Sequence, residues 1–172
     1  MIVCPFCGYD ELIEGADTCE QCHQPLADVF IRTPASGVEA ALLHDVVGDL
    51  PTHPPLELAP EATVGEALRT MVDQRIGCLL IVKDGKLAGI FSERDALMKL
   101  GVDAASRHHE PIVKYMTPNP AMVSADDKIA VAIHRMDVGG YRHLPVMDGD
   151  RPVSLISIRD ILRYLTEHGV AA

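Results

Sequence analysis

Between Pro55 and Leu97 the apolar positions follow a plan that returns without a gap between Pro120 and Leu162, at a constant offset of 65. Val64, Ala67, Leu68 and Met71 stand at i, i+3, i+4 and i+7, and Ile129, Ala132, Ile133 and Met136 occupy the matched places. That spacing gathers four apolar side chains on one face of a helix, a face that has to pack on a core. Thr63 with Glu66 forms a capping box at the start of the first of these helices. Each helix pattern is followed by a short, largely apolar run, Cys78 to Val82 and His143 to Met147, of the length of a buried strand. Hairpin turns are signalled by Asp84-Gly85 in the first copy and by Asp148-Gly149, one position early, in the second.

The return strands, Lys86 to Phe91 and Pro152 to Ile156, lead into Ser92-Glu93-Arg94-Asp95 and Ser157-Ile158-Arg159-Asp160. Each of these opens a final helix that stops at Gly101 or Gly169. Pro152 cannot donate to a ladder, so it is expected at the first residue of its strand or on a sheet edge. The order strand, helix, strand, strand, helix is thus used twice, which puts the chain in the α/β (α+β) class. Upstream, 31–37 reads as a linker and Val38 to Val47 as a short helix leading the first repeat, which spans 38–101. Residues 102–111 connect it to the second repeat, 112–169. His108-His109-Glu110 in that connector is expected to be a solvated loop, because adjacent side chains of an extended chain point apart.

Composition narrows the function. The 172 residues are 48% hydrophobic, enough for one sizeable core with a small satellite. A net charge of -10 and a pI near 5.1 carry the wrong sign for holding phosphate backbones, so nucleic-acid binding is disfavoured. No apolar run approaches the roughly 20 residues that span a bilayer, and the first residues lack the pattern of a secretion signal, so a cytoplasmic protein with no membrane contact is expected.

Four of the five cysteines fall within residues 1–30, as Cys4-Pro5-Phe6-Cys7-Gly8 and Cys19-Glu20-Gln21-Cys22. In a reducing compartment two Cys-x-x-Cys pairs favour a metal over disulfides. Each pair can wrap one edge of a tetrahedral ion; zinc suits the four sulfurs, and a single iron is the other metal they accept. The closed shell leaves no position for water, which argues against metal catalysis. The segment resembles a short zinc ribbon over about residues 3 to 27. Asp10, Glu11, Glu14, Asp17, Glu20 and Asp28, with no Lys or Arg before residue 32, leave protein contact or plain structure as its role. His23 is expected in solvent or beside the site, since four cysteines already close it.

The repeat itself carries a second resemblance. Gly89-Ile90-Phe91-Ser92-Glu93-Arg94-Asp95, and Arg142-His143 followed by Leu144-Pro145-Val146, are similar to the motifs of the cystathionine beta-synthase-type (CBS) domain, and their repetition in register resembles the paired Bateman module. Two departures stand out: Ser154 at the family's glycine position, and Leu80 at its proline position. The resemblance implies tandem CBS repeats about a pseudo-twofold axis, a homodimer formed through them, and clefts that take adenosine-containing ligands such as AMP, ADP, ATP or S-adenosylmethionine.

Candidate ligand-binding residues are Ser92, Arg94, Asp95, Arg142, His143, Ser157, Arg159 and Asp160. The family assigns its carboxylate to a ribose diol; a forked guanidinium from Arg94 or Arg159 suits phosphate oxygens. Ser-x-x-Asp is also a plain capping box, and recurrence of the arginines at matched positions is what capping alone leaves unexplained. Cys78 is expected in the core. No nucleophile with a base, Gly-rich phosphate loop or open metal position is present, so no catalysis is expected. The sequence reads as a regulatory adenosyl-ligand module acting on a separate protein target; the alternative is a metal-stapled scaffold or iron-bearing redox protein with vestigial clefts.

Overall fold

A computed structural model describes residues 4, 6–7, 9, 18–26, 37–52 and 54–169. The expected linker, apart from Gly37, and Asp10, Glu11, Glu14, Asp17 and Asp28 lie outside the described residues. The elements run α1 (Gly37–His44), β1 (Glu57–Leu58), α2 (Val64–Gln74), β2 (Cys78–Lys83), β3 (Lys86–Ser92), α3 (Glu93–Asp95), β4 (Thr117–Pro118), β5 (Val123–Ser124), α4 (Ile129–Gly139), β6 (His143–Asp148), β7 (Arg151–Ser157) and α5 (Ile158–Gly169). The doubled strand, helix, strand, strand, helix order is therefore present. Two compact units form, and each draws on both repeats: Met1–Thr52 with Val123–Arg142 and Ile156–Ala172, and His53–Met122 with His143–Leu155.

In the unit built on residues 53–122, four strands lie in the order β1-β2-β3-β4, with β1 parallel to β2 and the other pairs antiparallel. Residues 78–81 of β2 are buried on both faces. Leu79 and Ile81 join Phe91, Val64, Ala67 and Met71 in one cluster, while Cys78 and Leu80 join Ile90 in another that Leu155 also packs against. The alternation of a strand thus feeds two cores at once. The apolar stripe read from the sequence is the buried face of α2, and Thr63 caps that helix by accepting from the Glu66 N–H at 3.1 Å.

The turns obey backbone geometry. Asp84 and Gly85 both have positive φ, 51° and 77°, the pattern of a type I′ hairpin, whose twist suits antiparallel strands. In the second hairpin the two turn residues are Gly149 and Asp150, in register with the first at the offset of 65; Asp148 ends its strand. Gly149 has φ 57° in the first turn position, where a type II′ turn demands glycine. Pro152 is the second residue of β7, an edge strand of its sheet, where its missing donor is tolerated.

Short clasp segments close both units. The N–H groups of Val64 and Gly65, at the start of α2, donate to the carbonyls of Glu110 and His108 at 2.9 and 3.0 Å, and Ile112 N–H returns a bond to Ala62 O at 2.7 Å. In the other unit Ile129 N–H, at the start of α4, donates to Asp45 O at 3.1 Å, and Val47 N–H returns one to Asp127 O at 2.8 Å. The 3₁₀ turns Val47–Asp49 and Ile112–Lys114 belong to these clasps. The segment ahead of each repeat's first strand therefore caps the first helix of the other repeat.

Two sequence expectations change here. The leading helix ends at His44, because residues 45–48 are recruited as a clasp. His108 lies in a turn as expected but is half-buried there: its imidazole lies over Gly65, where a Cβ would meet the ring at 2.0 Å, and Arg69 Nη1 stands 3.5 Å from its Nε2. A Cβ on Gly89 would meet the Thr117 carbonyl oxygen at 2.7 Å, because β4 runs against β3 there. Gly89→Ala should destabilise the fold by about 1–3 kcal/mol in urea unfolding, since a strand must move. Gly65→Ala should cost less, since an imidazole can rotate away.

Candidate functional site

The cysteine knuckle is built by two tight turns. Cys4 N–H donates to Tyr9 O at 2.7 Å and Cys19 N–H to Gln24 O at 2.9 Å, folding each Cys-x-x-Cys loop back on its first sulfur. The Sγ atoms of Cys4, Cys7, Cys19 and Cys22 all lie within 4.8 Å of one another. Cys4 to Cys22 measures 3.8 Å and Cys7 to Cys19 3.7 Å. A tetrahedral ion with metal–sulfur bonds of about 2.3 Å has an S···S edge of about 3.8 Å, so the geometry fits an S4 ion.

Charge makes the same demand. Burial and the neighbouring sulfurs push the Cys22 thiol up to about 12. At Cys19 burial pushes upward, but the N–H groups of Cys22 and Gln21, together with the Cys4 and Cys22 sulfurs, outweigh it and bring the thiol down to about 7. Four sulfurs this close become thiolates together only around a cation. Cys4, Cys19 and Leu26 form the buried floor, with Phe6 and Tyr9 packed on it. His23 is exposed and stands outside the sulfur cluster, as expected. Among the described residues this is the one group of three or more side chains placed to hold a metal ion, and it includes neither His108 nor His109.

The two Ser-x-x-Asp motifs fold as carboxylate caps. Asp95 Oδ2 accepts from Ser92 N–H at 2.9 Å and from its hydroxyl at 2.6 Å, while Oδ1 accepts from Thr117 Oγ1 at 2.7 Å and faces Lys99 Nζ at 2.8 Å. Asp160 Oδ2 accepts from Ser157 N–H at 2.8 Å and from its hydroxyl at 2.7 Å. Both carboxylates are buried, 7% and 8% exposed. Arg94, Arg142 and Arg159 stand on exposed surface.

Backbone contacts set where these caps begin. Glu93 N–H donates to Gly77 O at 3.0 Å, and at the matched place Ile158 N–H donates to Arg142 O at 2.9 Å. Gly77 is also a point of close approach: a Cβ there would lie 3.2 Å from the His143 ring and 3.3 Å from the Glu93 carboxylate. His143, from the second repeat, thereby enters the surroundings of the Asp95 cap. Thr117, Lys99 and Gly77 escaped the reading of the motif. Thr117 had a signal, since it matches Thr52 at the offset of 65; Lys99 had none, because its counterpart is Tyr164. Cys78 is buried, its thiol pushed up to about 12 by burial and by the charge of Asp95, which keeps it a protonated core residue.

A family model for the CBS domain matches residues 47–101 and 112–167. The chain belongs to the CBS-domain family. It is 34% identical to CBS domain-containing protein CBSCBSPB3 of Arabidopsis thaliana over 54% of its length, and 26% identical to CBSCBSPB1 of the same plant over 92%. It spans 17% and 28% of the lengths of those two proteins. Among solved structures it is similar to the CBS domain pair of protein MJ0100, in complex with 5-methylthioadenosine and S-adenosyl-L-methionine, with a TM-score of 0.62 and 25% identity, covering 71% of this chain and 96% of that one.

Burial acts to raise the Asp95 carboxyl, and Lys99, Ser92 and Thr117 outweigh it, holding the group below its ordinary 3.8. A carboxyl held lower in the folded chain than in the unfolded one adds stability that is present above about pH 4 and lost as the pH falls through the folded value. Lys99→Met should therefore move the Asp95 titration upward in a carboxyl-selective NMR experiment and shift acid unfolding to higher pH.

Proposed function

We propose that the chain is a non-catalytic regulatory module that binds an adenosine-containing ligand through its CBS repeats and carries a structural zinc ion in its cysteine knuckle. The observation that carries the ligand reading is the recurrence of a buried, serine-capped carboxylate at Asp95 and Asp160. A carboxylate so placed accepts the two hydrogen bonds of a ribose diol. Support for the adenosyl class comes from the MJ0100 pair, whose structure holds 5-methylthioadenosine and S-adenosyl-L-methionine. Ser92, Arg94 and His143 accompany Asp95 in binding the ligand, and Ser157, Arg159 and Arg142 accompany Asp160. Function follows from occupancy: a ligand that binds two arrangements unequally shifts their populations, and an unidentified protein target reads the result.

The ion supplies folding free energy to a segment too small to fold on its own, on the order of 10 kcal/mol. Sulfur spacing suits iron as well as zinc, which keeps the redox alternative open to a single elemental analysis; one zinc per chain is expected. The residues divide into the knuckle at 1–30, the linker at 31–37, the first repeat with its leading helix at 38–101, the connector at 102–111 and the second repeat at 112–169.

A homodimer through the repeats is supported by apolar side chains left in solvent at matched positions, Leu97 at 73% and Leu162 at 56% exposed, with Met98 beside the first at 77%. No described helix is long and apolar enough to cross a membrane, in keeping with a cytoplasmic place of work.

Titration calorimetry with AMP, ADP, ATP, 5-methylthioadenosine and S-adenosylmethionine tests the reading. At least one should bind, and Asp95→Ala and Asp160→Ala should each weaken it about tenfold or more. Silence from all five ligands would remove the proposal.

A further inference from the structure

The knuckle does not stand apart from the repeats. Phe6, between the first two cysteines, places its ring 4.8 Å from that of His134 on α4, with the planes 46° apart. His134 Nε2–H donates to the Gln24 side-chain oxygen at 2.6 Å, and Gln24 follows the last cysteine by two residues. One imidazole is thus gripped from both cysteine loops, by a ring from one and an amide from the other.

The position of His134 in its helix is informative. Its counterpart at the offset of 65 is Arg69 on α2, the side chain that meets His108 of the connector. Each repeat's first helix therefore presents the same position to a segment from outside the repeat, and in the second repeat that segment is the knuckle.

We propose that the knuckle is a metal-dependent brace on α4. On the S4 reading given above, ion binding folds the two cysteine loops, and only the folded loops hold Phe6 and Gln24 together on His134. Because the brace exists in the metal-loaded form, ion occupancy and the local stability of α4 are linked, each favouring the other. The effect has a route onward within the same unit. α4 ends at Gly139 and is capped by Gly140, and two residues after that cap the Arg142 carbonyl takes the Ile158 N–H at the head of α5, beside Ser157 and Asp160. His134, Phe6 and Gln24 act here as positioning residues.

Hydrogen exchange on the full, reduced chain, loaded with zinc or stripped by chelator, reads the linkage directly. Zinc should slow exchange in residues 129–139 about tenfold, as expected for one hydrogen bond with one ring contact. Residues 64–74, whose matched position meets the connector, should not respond. In Phe6→Ala, Gln24→Ala and His134→Ala the zinc effect on 129–139 should shrink or vanish, while residues 19–26 remain protected by zinc. Zinc-dependent protection of 19–26 with no change in 129–139 would overturn the brace alone, as would a full effect persisting in both Phe6→Ala and His134→Ala. If 19–26 ignore zinc as well, the S4 reading falls and takes the brace with it.

Discussion

The first turn of a helix carries N–H groups that its own backbone cannot satisfy, and this shortage organises the molecule. At α2 the missing carbonyls come from His108 and Glu110, and at α4 one comes from Asp45. In both cases the supplier is the segment that introduces the other repeat, and it also donates a backbone N–H of its own, from Ile112 to Ala62 O or from Val47 to Asp127 O. Cutting the chain between its repeats would strip each first helix of its partner. The clasp of 45–48 on α4 holds residues ahead of the first repeat's strands together with the second copy, while Leu155 packs on the Cys78, Leu80 and Ile90 cluster of the first.

These clasps were the part least legible in the sequence. The helix stripes at Val64 and Ile129, the hairpin signals and the Ser-x-x-Asp starts are written in side chains, so the offset of 65 stands out from Pro55 onward. The clasps at 45–48 and 110–113 bond through the backbone, and their sequences are free to differ. Val47 and Ile112, or Leu50 and Tyr115, share little beyond being apolar and buried. The same independence ended the leading helix at His44. It also hid the break after Asp95, where a single α-helical turn passes into a π-helical stretch, Ala96–Leu100, instead of a continuous helix.

The carboxylate caps were legible as motifs, though not as environments. Ser92 with Asp95 and Ser157 with Asp160 fold alike, yet a cation four residues on makes the first an ion pair, while the second has Tyr164 at that place, its hydroxyl turned to Asp45. Thr117 reaches Asp95 from 22 residues away in sequence because β4 lies against β3. The glycine at position 89 is required by that strand: what approaches it closely is the chain's own Thr117 carbonyl. Ser154, its counterpart, is buried in β7 and shows that the second copy tolerates a side chain there.

The depth of Cys78 has a practical corollary. A protonated sulfur sealed inside a strand is invisible to alkylating agents, which attack thiolates they can touch. Every cysteine that answers such a reagent in the native protein then belongs to the quartet near the amino terminus. On the S4 reading proposed above, counting reactive thiols would gauge how many chains are loaded, with no background from the interior.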